Sequence, residues 1–362
     1  MELGVCIASK IDDLDYVVRA EQLGFSHAWF ADSQMIWSDV FATMALAADR
    51  TTSIKIGTGV AVAATRPAPV VAAAMATINQ LAPGRTFCGI GTGNTAMRIM
   101  GHKPMRIAEF ETYLQTLGPL LRGHRADLHW RNDVSPVQHL MPTQGFVNFA
   151  DQIPLYVSGF GPRSIALAAT YGDGAVLSIP PFAERMERVW AGLLRAGEAA
   201  GRTLTRATFP TCTLSTIVVL DDGEPIDSER AKEQCGAFAV ASLHYAYEQW
   251  SQFGRAPSGP ILDFWPEYTA LLDQISPEER HLRIHEGHNC WVVEEEKQFI
   301  TKELIEATCL VGTADQIVER LNQLDEAGLD QLMILPPFDP RFDVIERVGA
   351  EIIPRLTTTT AP

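Results

Sequence analysis

The stretch RTFCGIGTGNTA, Arg85–Ala96, admits two readings, and the fold turns on which is right. Its second half, GTGNTA (Gly91–Ala96), spells G-x-G-x-x-A, one form of the dinucleotide fingerprint of a Rossmann unit. That fingerprint comes after the first strand of its fold, opens a helix, and has an acidic residue at the end of the next strand. Here three apolar runs already precede it: LGVCIA (Leu3–Ala8), HAWFAD (His27–Asp32) and IKIGTGVAV (Ile54–Val62). Where the end of the next strand should carry that acid, the chain is instead an insertion without a suitable one. The spacing therefore makes Arg85–Gly91 a fourth buried strand, with the glycines at its C-terminal end.

Outward from this stretch, strands and helical patterns alternate. Helices are predicted over Asp12–Leu23, Ser38–Ala48, Pro69–Leu81 and Ile107–Leu121. Residues 123–153 are polar, hold Pro136 and Pro142, and read as an insertion loop. Pro154–Gly159 and Gly174–Ile179 are the fifth and sixth strands, with helices at Pro162–Tyr171 and Ala183–Ala200. Thr213–Leu220 is the seventh. Residues 221–309 are helical in pattern and break the alternation, which marks the larger insertion, between strands seven and eight. A helix over Thr313–Ala327, an eighth strand at Gln331–Pro336 and a last helix at Phe342–Arg355 complete the count, before the threonine run Thr357–Thr360. Eight buried strands with intervening helices predict an α/β fold, a (β/α)8 TIM barrel forming one domain over residues 1–362, with the 221–309 insertion as a lid over its mouth.

The 362 residues carry a net charge of −15, which excludes a nucleic-acid partner because that needs a basic face. No signal peptide or membrane-length apolar run is visible, so a cytoplasmic protein is expected. The six cysteines are scattered without a C-x-x-C, and neither a disulfide framework nor a zinc site is expected from them.

Several blocks resemble one family: WFADS (Trp29–Ser33), the run from Ile54 to Gly93, SGFGPRSIALAATYGDGAVLS (Ser158–Ser178) and LVGTADQIVERLNQLDEAGLDQLMI (Leu310–Ile334). Together they resemble the bacterial-luciferase-like superfamily, which includes reduced-FMN monooxygenases and enzymes of the deazaflavin coenzyme F420. The resemblance implies a flavin lying across the C-terminal mouth of the barrel. It places Asp32 at the end of the second strand, facing flavin or substrate, and Gly59-Val60 where several relatives carry a non-prolyl cis peptide. Gly91, Thr92, Gly93 and Asn94 line the mouth. Ser158, Gly159, Gly161 and Pro162 match a phosphate loop, with Arg163 able to add charge. Asn94 stands where the family's deazaflavin sugar dehydrogenases have an acid, and an amide does not exchange a proton as a carboxyl does. The resemblance also implies a homodimer.

Residue chemistry supplies plainer alternatives. Asp32 and Asn94 also suit helix caps, Gly59 a strand bulge, and Gly159 and Gly161 an ordinary tight turn. Trp37 can stack on a ring, whereas Trp29 reads as core. In RHLRIHEGHNCW, His281, His285 and His288 fall at i, i+4 and i+7, one face of a helix. HEGH is one residue short of H-E-x-x-H, and no metal site is expected. His285 and His288 are instead candidate catalytic residues of the pocket, with His244 and Tyr245 on the same insertion. Glu294–Lys297 reads as solvated surface.

The leading expectation is a two-component monooxygenase using reduced FMN and O2 on a small organic substrate, with a separate flavin reductase supplying the reduced flavin. A coenzyme F420-dependent hydride-transfer enzyme stands beside it. A flavin-binding protein without catalysis is the third reading.

Overall fold

The computed structural model describes residues 1–356; the threonine run Thr357–Thr360 lies outside the described residues. The predicted apolar runs form eight barrel strands: β1 (Glu2–Ile7), β2 (His27–Phe30), β3 (Lys55–Thr58), β4 (Thr86–Gly91), β5 (Leu155–Gly159), β6 (Gly174–Leu177), β7 (Thr211–Ser215) and β8 (Gln331–Ile334). All neighbours pair in parallel, each strand with the next, and β8 closes on β1 through Glu2↔Gln331 to Val5↔Ile334. Sequence order is therefore spatial order, the pattern of a (β/α)8 barrel. GTGNTA ends β4 at the C-terminal mouth, so the fingerprint is not a Rossmann loop.

Helices stand outside because their apolar faces meet the outer face of the strands, forming the largest core. Their ends are set locally. Asp39 Oδ1 accepts from the N–H groups of Phe41 and Ala42, both at 3.0 Å, and so opens the helix Val40–Arg50. Thr313 and Gln316 form a reciprocal capping box at the head of Ala314–Glu326.

The barrel interior below the mouth is filled by Trp29, Phe87, Cys6, Cys212 and Met333, with Tyr156 packed against them. Trp29 is fully buried; its ring centroid lies 4.4 Å from that of Phe87, and its Nε1 donates to Gln331 Oε1 at 2.6 Å. It is core, as its size suggests, and such aromatic pairs add about 0.5–1.5 kcal/mol beyond burial. Gly57 makes room for them: a Cβ there would fall 2.2 Å from the Phe87 ring.

Several boundaries differ from expectation, each for a reason. The third strand is interrupted by a cis peptide at Gly59–Val60, after which Ala61–Val62 pairs again with Ile90 and Gly91. The seventh strand leaves the barrel after Ser215. Ile217–Val219 then pairs in parallel with Leu310–Gly312, so a small ladder joins the two ends of the 221–309 insertion. The insertion itself holds helices at Glu229–Phe253, Ile261–Asp273, Arg280–Ile284 and Lys302–Thr308 around a core of its own that includes Leu243, Tyr247, Tyr268 and Phe299. Residues 123–153 are not all loop: Ala126–Trp130 and Asp133–Val137 form an antiparallel hairpin whose outer strand tolerates Pro136. The last helix is α-helical only over Arg341–Arg347; a π turn and a 3-10 turn come next, where Pro354 offers no N–H to continue the ladder.

Candidate active site

The strand ends open into a cavity of about 810 Å³. One wall includes three glycines, Gly59, Gly91 and Gly93, beside Val60, and Gly93 turns the chain with φ +81° into the short helix Asn94–Arg98. A Cβ on Gly93 would fall 2.4 Å from Val62 Cγ1, so only glycine fits this turn. Such a wall suits a flat ring pressed against backbone.

At one edge of this wall stands Asp32, whose side chain is only 3% exposed. Its Oδ2 accepts from Arg66 Nη1 at 2.5 Å and from Val62 N at 3.1 Å, while Oδ1 accepts from Gln34 Nε2 at 2.7 Å. Burial pushes this carboxyl above its ordinary range, and Arg66 pulls against that rise. Asp32 therefore both faces the cavity and ties the second strand end to the third.

Asn94 also lines the cavity but does not cap its helix; Gly93 does. The Asn94 Oδ1 accepts from Arg98 Nε at 2.9 Å. Arg98 Nε also lies 3.2 Å from Glu248 Oε2. Its single hydrogen points at Asn94, so that contact is an ion pair without a directed bond.

At the other edge is the loop after β5. Ser158 and Arg163 line the cavity; Gly159, Gly161 and Pro162 do not. Gly159 instead lets the next helix approach, since a Cβ there would meet Ile165 N at 3.0 Å. Pro162 has no N–H to donate. Ser164 Oγ accepts from the N–H groups of Phe160 and Gly161, both at 3.1 Å, while the amides of Arg163 and Ser164 head the helix without intrahelical acceptors. An anion at this helix N-terminus would meet those two amides and the Arg163 side chain.

The insertion roofs the cavity with Phe238, Tyr245, Phe253 and His288. Tyr245 hydroxyl lies 3.1 Å from Thr95 Oγ1, and burial pushes its pKa up to about 12. Trp37 joins the roof from the β2 side. The histidines are not one face of a helix: Arg280–Ile284 ends early, and Gly287 adopts φ +73°. His285 and His288 still meet, Nδ1 to Nδ1 at 3.4 Å, but the third member of the group is His244 from the long helix, not His281. Only His288 reaches the cavity; His285 lies behind it. Burial, then the neighbouring histidines, push the His288 pKa well below its ordinary value. Glu248 Oε1 lies 2.6 Å from His285 Nε2, and Glu296 lies 3.2 Å from His244 Nε2. Glu296 is therefore buried, not part of a solvated surface. No local sequence pattern marks Arg66, Arg98, Glu248 or Glu296 as members of the site. Their partners on other elements lie 27 to 154 residues away.

A family model described as luciferase-like monooxygenase matches residues 9–331. The chain belongs to that family. Among curated proteins it is 26% identical over 356 residues to the 5,10-methylenetetrahydromethanopterin reductase of Archaeoglobus fulgidus, covering 96% of each chain. It is 26% identical over 375 residues to the F420-dependent glucose-6-phosphate dehydrogenase of Beutenbergia cavernae, covering 95% of this chain and 93% of the other. In fold it matches the coenzyme F420-dependent tetrahydromethanopterin reductase of Methanopyrus kandleri, with a TM-score of 0.68, 18% identity and 98% of both chains covered. No helix among the described residues is long and apolar enough to cross a membrane.

Proposed function

We propose that this luciferase-like protein is a coenzyme F420-dependent oxidoreductase that transfers a hydride to or from a small organic substrate. This reverses the order of the two leading expectations from sequence. The observation that carries the choice is the full-length likeness to an F420-dependent dehydrogenase, 95% of this chain at 26% identity. The residues present fit such a group. The backbone wall at Gly59, Gly91 and Gly93 accepts a flat ring, the loop at Ser158–Ser164 accepts a phosphate, and about 810 Å³ leaves room for a substrate beside the ring.

When bound, the deazaflavin supplies or accepts the hydride; the protein's own groups do the rest. Val60 and the glycines fix the ring's depth at the mouth. Asp32 and Arg66 hold the strand ends that form its wall. Phe238, Phe253, Trp37 and Tyr245 exclude water from the space above it. Asn94, where a carboxyl would stand in the sugar dehydrogenases resembled here, offers no proton as a carboxyl does, so proton movement falls to the roof groups that border the cavity. This sets the substrate apart from a sugar phosphate.

The test is anaerobic titration of the purified protein with F420 and, separately, with FMN, read by fluorescence. Preferential binding of F420 is expected, with a substrate-dependent change of its redox state that needs no O2. Tight binding of reduced FMN with oxygen consumption, and no binding of F420, would return the protein to the monooxygenase reading.

A further inference from the structure

We infer that His244, His285 and His288 form a binding site for one zinc-class divalent cation. One ring nitrogen of each lies within 4.8 Å of the other two, and all three residues are buried. They come from two segments far apart in sequence, the long helix Glu229–Phe253 and the turn after Ile284, which the fold of the insertion brings together.

The outer nitrogens are already committed. Glu296 faces His244 Nε2, and Glu248 faces His285 Nε2. A carboxylate accepts, so in each neutral ring Nε2 carries the hydrogen and Nδ1 presents a lone pair. Imidazole oriented by an outer carboxylate is the arrangement that metal-binding histidines use. The two inner nitrogens of His285 and His288 are 3.4 Å apart. Two ligands at about 2.0–2.1 Å from a tetrahedral zinc ion are separated by about 3.3–3.4 Å. Bringing His244 to the same distance takes a side-chain adjustment on the order of 1 Å.

Hydrogen bonding alone accounts for part of the cluster and not for all of it. If Asn289 Nδ2 donates to His288 Nε2, as placed at 3.0 Å, then His288 Nδ1 donates to His285 Nδ1 and that pair is satisfied. His244 Nδ1 is then left buried with no partner. A buried polar atom without a partner costs about 1–3 kcal/mol. A cation gives it one. Exchanging the amide of Asn289, whose Oδ1 is also buried without a partner, makes it an acceptor for His288 Nε2–H and frees Nδ1 as the third ligand.

The donor set selects the ion. Three imidazoles with no thiolate suit zinc, iron, nickel or copper rather than magnesium or calcium, and three protein ligands leave a fourth position open. Two buried carboxylates beside the cluster, one shared with Arg98, favour added positive charge. Because His288 belongs to both cluster and cavity wall, an ion here would fix the orientation of the one histidine of the three that borders the cavity, and so shape the substrate's side of it. That use rests on the hydride-transfer reading; the existence of the site does not.

The test is titration of chelator-stripped, full-length protein with Co(II) under anaerobic conditions, read by visible d–d absorption and by metal analysis. One Co(II) per chain with imidazole-type bands is expected, displaced by zinc. His244→Ala should abolish the bands. Glu248→Gln and Glu296→Gln, which keep shape and are checked by thermal melting, should each weaken binding about 10–100-fold. No Co(II) bound by the native protein, or binding of equal affinity in the folded glutamine variants, would overturn the site. Neither readout involves F420, so failure of the cofactor reading leaves this result standing on its own.

Discussion

Replacing Asp32 by alanine removes one acceptor from three partners at once. Arg66, Val62 N–H and Gln34 each donate to that carboxylate, at 2.5, 3.1 and 2.7 Å. The Arg66 side chain is only 16% exposed, so water replaces the lost contact poorly. Breaking a buried pair by removing one partner costs about 3–5 kcal/mol, because the other charge is left uncompensated. A chain of 362 residues unfolds with an entropy of about 0.8 kcal/mol per kelvin near its midpoint. Asp32→Ala should therefore lower Tm by about 4–6 °C in calorimetry without cofactor. Arg66 also contacts Asp39 at 3.3 Å and covers the Phe41 ring, so Arg66→Ala should cost a comparable amount for partly different reasons. The double variant removes both charges and should recover at least about 1 kcal/mol relative to the sum of the two single variants. A single variant melting within about 1 °C of the native protein, or strict additivity in the double, would refute the claim that this pair holds the strand ends together.

The geometry yields four further expected outcomes. His27, at the N-terminal end of the barrel, has its pKa pushed down to about 3 by burial and by Lys55. It stays neutral in the fold while the unfolded chain takes up a proton below about 6.5, so its contribution is intact above that pH and is lost as pH falls toward 3. Between pH 6.5 and 5 the native protein should lose on the order of 1–2 kcal/mol more stability than His27→Gln, measured by urea unfolding at both values. Gly93→Ala forces a Cβ to 2.4 Å from Val62 at positive φ and should reduce F420 affinity at least about tenfold in the fluorescence titration, with a stability loss of about 1–2 kcal/mol. Arg163→Ala should weaken F420 about tenfold in low salt and less in high salt, the mark of a charge-assisted contact to phosphate. Gly57→Ala drives a methyl into the Phe87 ring and should lower stability by about 1–3 kcal/mol or prevent folding, read from soluble yield and melting.

The barrel was legible because its signal is local and repeated. Each strand is an apolar run bounded by turn residues, and the place of Arg85–Gly91 as the fourth of them settled the meaning of GTGNTA. The mouth residues came from the family resemblance, which places them at strand ends, where a barrel builds its site. What escaped is non-local. Nothing near Asp32 in sequence marks Arg66 as its partner, and nothing near His285 marks His244 or Glu248. Periodicity put His281, His285 and His288 on one helix face, but it took no account of the helix stopping at Ile284 and of the left-handed Gly287 in the turn that brings His285 and His288 to a third histidine 41 residues upstream of His285. The breaks in the third and seventh strands were hidden because apolar residues resume directly after each, at Val60–Val62 and Ile217–Leu220.

The short ladder between Ile217–Val219 and Leu310–Gly312 has a consequence for how this molecule tolerates change. It brings the two ends of a long excursion side by side before the chain rejoins the barrel. Loop-closure entropy grows only logarithmically, at about 0.6 kcal/mol per doubling of length, so the span between the two clasped ends is nearly indifferent to how many residues it holds. With its own buried core above the clasp, the roof can lengthen, shorten or be exchanged while the eight strands keep their register. The side chains that line the cavity from the roof and those that line it from the strand ends are thereby open to change independently, one set written above the ladder and the other below it.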